Sequence, residues 1–342
     1  MRTRTGRGPS PRAMGGFTLV ELMVSLVLGL IVTAAALAMF LSNRQVYETT
    51  ENLGRVQETV RTAYELMARD MREATGNACE AHLRTANVLR NPANNWWWNF
   101  DTSIQGYDGG TATPGLAFGT ATGDRVNGTD AMELKSAVND GVTIVSHNAP
   151  SAQFKVNTIN HGLSPGDIVM VCDFDHAALL QVTNANPGIN DTIVHNNGGA
   201  LVPGNCSKGL GFPTDCSSAL GAQYAFGPNA IIARARMHRW YIGTNSRGRR
   251  SLFEATVVNT GGVLAVQRQE IAEGVENMSL QYLIAGATGY VDADAVTAAQ
   301  WTGTGVIAVR VLLTLQGEQN QMGGDPVQRT LEHTVTLRNR VP

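Results

Sequence analysis

The stretch from Leu22 to Leu41 carries no charged residue, and about 20 such residues are enough to span the hydrocarbon core of a bilayer. A single carboxylate, Glu21, stands at its entrance. An isolated acid inside a membrane span costs about 2.5–3.5 kcal/mol on insertion scales, so it demands a partner and marks function. Before it come a Gly15–Gly16 pair, Phe17, and a short leader with Arg2, Arg4, Arg7 and Arg12. A secretory signal places its small-residue cleavage site after the apolar run; here the glycines precede it. A plain single-pass anchor explains the span, and the basic leader would face the cytoplasm with everything beyond Leu41 on the other side. It explains neither Glu21 nor the Gly16–Phe17 junction.

Beyond the span the pattern becomes amphipathic. Val46, Leu53, Val56, Val60, Tyr64, Met67 and Met71 recur at helical spacing, with Glu51, Arg55, Glu58, Arg61, Glu65, Arg69, Asp70 and Arg72 between them. Gly76 stands where a C-terminal glycine ends a helix. One helix over residues 17–75, spanning the membrane at 22–41, would be about 88 Å long, its outer half packed on the domain that follows.

That domain, residues 76–342, reads as short apolar runs broken by Gly, Asn, Asp and Pro. Strands are expected at 131–136, 142–146, 168–173, 178–182, 231–242, 251–258, 264–271, 278–284, 305–315 and 329–338, and an irregular insertion at 91–128. The fold class is therefore α+β, a long N-terminal helix packed on an antiparallel, β-rich C-terminal domain. The near-neutral formal charge of -2 gives no electrostatic case for binding nucleic acid. Cys79, Cys172, Cys206 and Cys216 make an even set in a chain exported from the cytoplasm, where disulfides are expected. Three pairings exist; the short loop between Cys206 and Cys216 favours that pair and leaves Cys79 with Cys172.

Catalytic and metal chemistry find little support. Asp173-Phe174-Asp175-His176 has two carboxylates and an imidazole but lacks the oxygens and the glycine of a calcium loop; a polar turn is the expectation. Asp292 and Asp294 read the same way. Neither a Gly-x-Ser-x-Gly elbow nor a phosphate-binding glycine loop follows a strand, so no enzyme, cofactor or metal is expected. Trp96, Trp97 and Trp98 cannot all face one side of a strand. They offer either a partner-binding patch or a loop folded back into the core. Arg247-Gly248-Arg249-Arg250 reads as a solvated hairpin tip.

The junction Gly16–Phe17, with Glu21 four residues on and an uncharged run behind, resembles the class III signal of type IV pilins. The resemblance narrows along the chain to minor pilins of the PilW type. It is carried by Phe40-Leu-Ser-Asn-Arg-Gln-Val-Tyr47, Met67-Ala-Arg-Asp-Met-Arg72, Gly166-Asp-Ile-Val-Met-Val171, Gln181-Val-Thr183, Trp240-Tyr-Ile242, Glu273-Gly-Val-Glu-Asn-Met278, Gln281-Tyr282, Val309-Arg-Val-Leu-Leu313 and Leu337-Arg-Asn-Arg340. A Gly- and Asp-rich loop common after the Gln-Tyr motif is reduced here to Gly289-Tyr-Val-Asp-Ala-Asp294. The resemblance implies cleavage between Gly16 and Phe17 by a prepilin peptidase, methylation of Phe17, and pairing of Glu21 with the terminal amine of a neighbouring subunit. It further implies other minor and major pilins and the inner-membrane assembly machinery as partners, and an inner-membrane precursor whose domain lies in the periplasm. Three functions compete with a pilus subunit: a type II secretion pseudopilin, which shares the N-terminal signal, a tip adhesin or DNA-binding subunit, and a membrane-anchored enzyme.

Overall fold

The computed structural model describes residues 16, 18–74, 78–79, 83–90, 95–316, 328–337 and 340; the leader before Gly16, Phe17, Thr75 and Gly76 lie outside them. A single helix, α1 (Leu19–Glu73), runs for 55 residues, about 82 Å at 1.5 Å per residue. It starts at Thr18 because that residue closes a capping box. Its hydroxyl accepts from the Glu21 amide at 3.2 Å, and the Glu21 carboxylate accepts from the Thr18 amide at 3.1 Å. Every side chain from Leu19 to Leu41 is exposed, and the first buried one is Leu53. From there the apolar stripe enters the core through Val60, Ala63, Met67, Ala68 and Met71. Among the described residues, the apolar half of α1 thus packs on nothing.

Among the described residues sixteen strands follow: β1 (Arg84–Asn87), β2 (Ile104–Tyr107), β3 (Ala131–Val138), β4 (Ile144–Asn148), β5 (Gln153–Val156), β6 (Ile168–Cys172), β7 (His176–Gln181) and β8 (Asn184–Ala185). After them come β9 (Thr192–Val194), β10 (Ile231–Thr244), β11 (Arg250–Thr260), β12 (Val263–Glu273), β13 (Val275–Ile284), β14 (Tyr290–Val291), β15 (Val306–Gln316) and β16 (Gln328–Thr336). They form an eight-stranded sheet and two four-stranded sheets. The spine of the large sheet is β10. Arg234 pairs with Val138 of β3 on one edge and Val169 of β6 on the other, and β11 continues the β6 edge. The pairings are antiparallel except β1 with β7. A parallel pair needs a long crossover connection, and the chain between β1 and β7 supplies it. All ten strands expected from sequence are present. Those not anticipated, β1, β2, β5, β8, β9 and β14, are two to four residues long, too short for a period of two to register.

Strands β6 and β7 are buried at every position. One face (Val169, Val171, Ala178, Leu180) belongs to a core with Phe154 and Phe226, the other (Ile168, Met170, Leu179) to a core with Trp96, Trp97 and Phe100. Coverage on both sides is why these strands read as continuous apolar runs. The largest core joins the α1 stripe to β10, β11, β13 and β15. The chain passes from the large sheet to the β13–β15 sheet at Gly274, whose φ of +83° favours glycine. A Cβ there would meet the Gln316 carbonyl at 3.0 Å and Val56 of α1 at 3.3 Å. The region 91–128, expected to be irregular, is organised around Arg125. This fully buried side chain donates to the carbonyls of Thr111, Asp108, Tyr107 and Thr129.

Candidate functional site

Two places on α1 carry polar groups that the apolar stripe does not require. The first is its start. Gly16 is exposed, Phe17 lies outside the described residues, and Glu21 occupies the third helical position, its carboxylate also accepting from the Thr18 hydroxyl at 3.1 Å. Within its own chain Glu21 is therefore already held by hydrogen bonds that orient it toward the helix N-terminus, where the partial positive charge of the helix lies. Just behind it runs the exposed apolar surface from Leu22 to Leu41. A hydrogen-bonded carboxylate at the mouth of a bare apolar helix can receive a cation once that helix is covered by others.

The second place is the junction of α1 with the large sheet. Asp70 of α1, His238 of β10 and Glu254 of β11 bring their ligand atoms within 4.8 Å of one another. His238 Nδ1 lies 2.6 Å from Glu254 and 3.4 Å from Asp70, and Trp240 Nε1 donates to Asp70 at 3.0 Å. The 2.6 Å contact is a hydrogen-bond distance. The set acts as a polar clamp between helix and sheet. Sequence reasoning missed it because Asp70 and the strand residues it meets are more than 160 positions apart along the chain and none belongs to a local motif.

Burial raises the Asp70 pKa, against the lowering effect of the His238 charge and the Trp240 bond. Burial opposes the His238 charge too, but the Glu254 hydrogen bond and the charges of Asp70 and Glu254 outweigh it, so its pKa rises. Arg236 and Glu73 flank the clamp, 3.9 Å apart. A raised folded-state pKa means stability that is complete below the unfolded histidine value of about 6.5 and is lost as pH rises through the folded value. The melting temperature is expected to fall as pH rises above about 6.5, and His238→Asn should flatten that slope. An unchanged slope in the variant would remove His238 from the account.

The remaining candidates have settled places. Cys79 joins Cys172 and Cys206 joins Cys216, the pairing that the short loop favours. Trp96 and Trp97 are buried and Trp98 is half-buried. They pack in the core with Leu89, Phe100 and Met237, and the Arg239 guanidinium lies 4.4 Å from the Trp96 ring. They form no exposed tryptophan patch, because the loop folds back over β3 and β10. Asp173 makes the turn between β6 and β7, accepting from the amides of Asp175 at 3.0 Å and His176 at 2.9 Å, and the Arg247–Arg250 segment joins β10 to β11.

The family model described as prokaryotic N-terminal methylation motif matches residues 11–37, and that described as type IV pilus-assembly protein W matches residues 239–339. The first covers Gly16, Glu21 and most of the bare apolar surface; the second begins within β10 and takes in β11 to β16. No curated protein and no solved structure matches the chain. The two matches lie on the two parts that the fold keeps distinct, the unpacked helix and the sheet that holds its outer half. Together they support a type IV pilus minor pilin of the PilW type, a structural subunit carrying the N-terminal methylation signal.

Proposed function

We propose that this subunit is anchored in the inner membrane by residues 22–41 with its domain in the periplasm, is cut between Gly16 and Phe17 by a prepilin peptidase, and is methylated on Phe17. In the filament the Glu21 carboxylate meets the terminal amine of a neighbouring minor or major pilin. The observation that carries this reading is the bare helix. From Leu19 to Leu41 no side chain is buried, so apolar surface of this size must be covered by lipid before assembly and by neighbouring helices after it. The domain contributes through α1, since the polar clamp at Asp70 and the Met67–Met71 stripe tie the filament-forming helix to the sheets.

Mass spectrometry of the protein made with and without a prepilin peptidase tests the processing step. The expected result is a chain beginning at N-methylated Phe17 only when the peptidase is present. An uncut leader in both samples would return the chain to a plain membrane anchor.

A further inference from the structure

The face of the large sheet that covers α1 is apolar where β10 and β11 carry Trp240, Ile242 and Leu252, which share a core with Val60, Met67 and Met71 of the helix. His238 lies two residues before Trp240 on β10, and Glu254 of β11 stands directly opposite Trp240. Strand alternation places both on that same face. Asp70, three residues after Met67, meets them from the helix and is itself buried. Three ionisable side chains thus converge from three elements on a surface that is otherwise apolar. Burying carboxylates is costly unless their charge is met. Between them Asp70 and Glu254 share one cationic group, the His238 imidazole when it is protonated. The nearby guanidinium groups of Arg69 and Arg236 are engaged with Glu73.

The spacing of the three donors suits a small divalent ion. Four-coordinate zinc holds nitrogen and oxygen donors at about 2.0–2.2 Å, which sets neighbouring donors about 3.3–3.4 Å apart. His238 Nδ1 and Asp70 Oδ2 are 3.4 Å apart. His238 Nδ1 and Glu254 Oε1 sit at 2.6 Å and must open by about 0.7 Å to receive the ion, a small movement for a glutamate side chain that is partly exposed. All three donor atoms lie within 4.8 Å of one another. One imidazole with two carboxylates suits zinc and its neighbours in the first transition row, whereas calcium takes oxygen donors alone. Trp240 Nε1 donates to Asp70 at 3.0 Å, the kind of outer contact that fixes a ligating carboxylate in place. His238 is partly exposed as well, so an ion can enter from solvent and a water can complete the fourth position.

We infer that Asp70, His238 and Glu254 form a zinc-binding site that fastens α1 to the large sheet. On binding, His238 gives up its Nδ1 proton to solvent and coordinates through that nitrogen, while each carboxylate coordinates through one oxygen. The dication balances both carboxylates, a charge that an imidazolium meets only by half. The metal-free protein keeps the hydrogen-bonded clamp, and zinc converts it into a coordinated joint that links helix, β10 and β11. The strength with which α1 is held to its domain is then set by the zinc available to it.

The test uses the full chain, purified in detergent, stripped of metal with a chelator and titrated with zinc chloride. The expected results are one zinc per chain bound at this site and a rise in melting temperature. Cobalt chloride in place of zinc should give the visible absorption of four-coordinate cobalt, and calcium chloride should leave the melting temperature unchanged. His238→Asn and Glu254→Gln should each weaken zinc binding by at least about tenfold and abolish the cobalt band, with both disulfides still formed. Zinc binding of equal strength in both variants would overturn the inference. So would an unaltered chain that shows no cobalt band, a result that holds even where a variant fails to fold.

Discussion

Glu133→Gln is expected to lower the stability of the domain by about 3–5 kcal/mol, the range for removing one partner of a buried ion pair. Glu133, Lys135 and Arg239 are all nearly inaccessible to solvent. Glu133 bonds Arg239 and lies 3.6 Å from Lys135; Lys135 also donates to the Thr102 carbonyl at 3.0 Å and Arg239 to the Pro114 carbonyl at 2.7 Å. One carboxylate thus serves two buried cations. Glutamine keeps the shape and one acceptor but leaves both charges without a counter-charge. Lys135 can relieve the strain by releasing a proton, since burial already pushes its pKa down; Arg239 cannot. The contrasting variant is Asp191→Asn. Its pair with Lys155, at 2.7 Å, is about half exposed on both sides, and solvent screening leaves such pairs little net effect on stability. Chemical denaturation of both variants should separate them clearly; similar losses would show that the buried cluster is not the stronger tie.

The helix and the long strands are legible in the sequence, because their apolar residues repeat with the period of the element. The N-terminal signal is local, so Gly16, Phe17 and Glu21 can be picked out from a dozen consecutive residues. Glu133 and Lys135 mislead for a physical reason. They alternate with Met132 and Leu134 on β3, which is the pattern of a strand with one solvated face, yet that face is roofed by Trp96 and the Pro114 segment. Asp70 follows Arg69, with Arg72 two residues on, and reads as part of the solvated side of α1, yet it is buried against Trp240. Phe174 reads as one more apolar residue beside a polar turn; its exposure depends on the pairing of β6 with β7, which is a tertiary fact. Burial of polar groups and exposure of apolar ones are decided by what comes over the top, and a single chain segment does not encode its own cover.

Glu21→Ala and Glu21→Gln are expected to separate the capping role of this carboxylate from the pairing with a neighbour proposed for it. Alanine removes both the capping bond to Thr18 and the charge. Glutamine retains an acceptor at the third helical position, where Glu and Gln both close a capping box, and removes only the charge. If Glu21 served its own helix alone, glutamine would restore normal assembly, since a cap is worth only about 0.5–2 kcal/mol. The proposed pairing with a neighbour's terminal amine predicts instead that both variants are processed and stably folded but fail to enter sheared pili. An amine left unpaired in the apolar filament core costs about 3–5 kcal/mol, a loss of at least a hundredfold in incorporation at about 1.4 kcal/mol per tenfold. Processing should survive because the leader and the Gly16–Phe17 junction are untouched. The decisive readout is the ratio of subunit in pili to subunit in the membrane, measured for both variants in the same background. Wild-type incorporation of Glu21→Gln would confine Glu21 to capping and leave the neighbour's amine to find another partner.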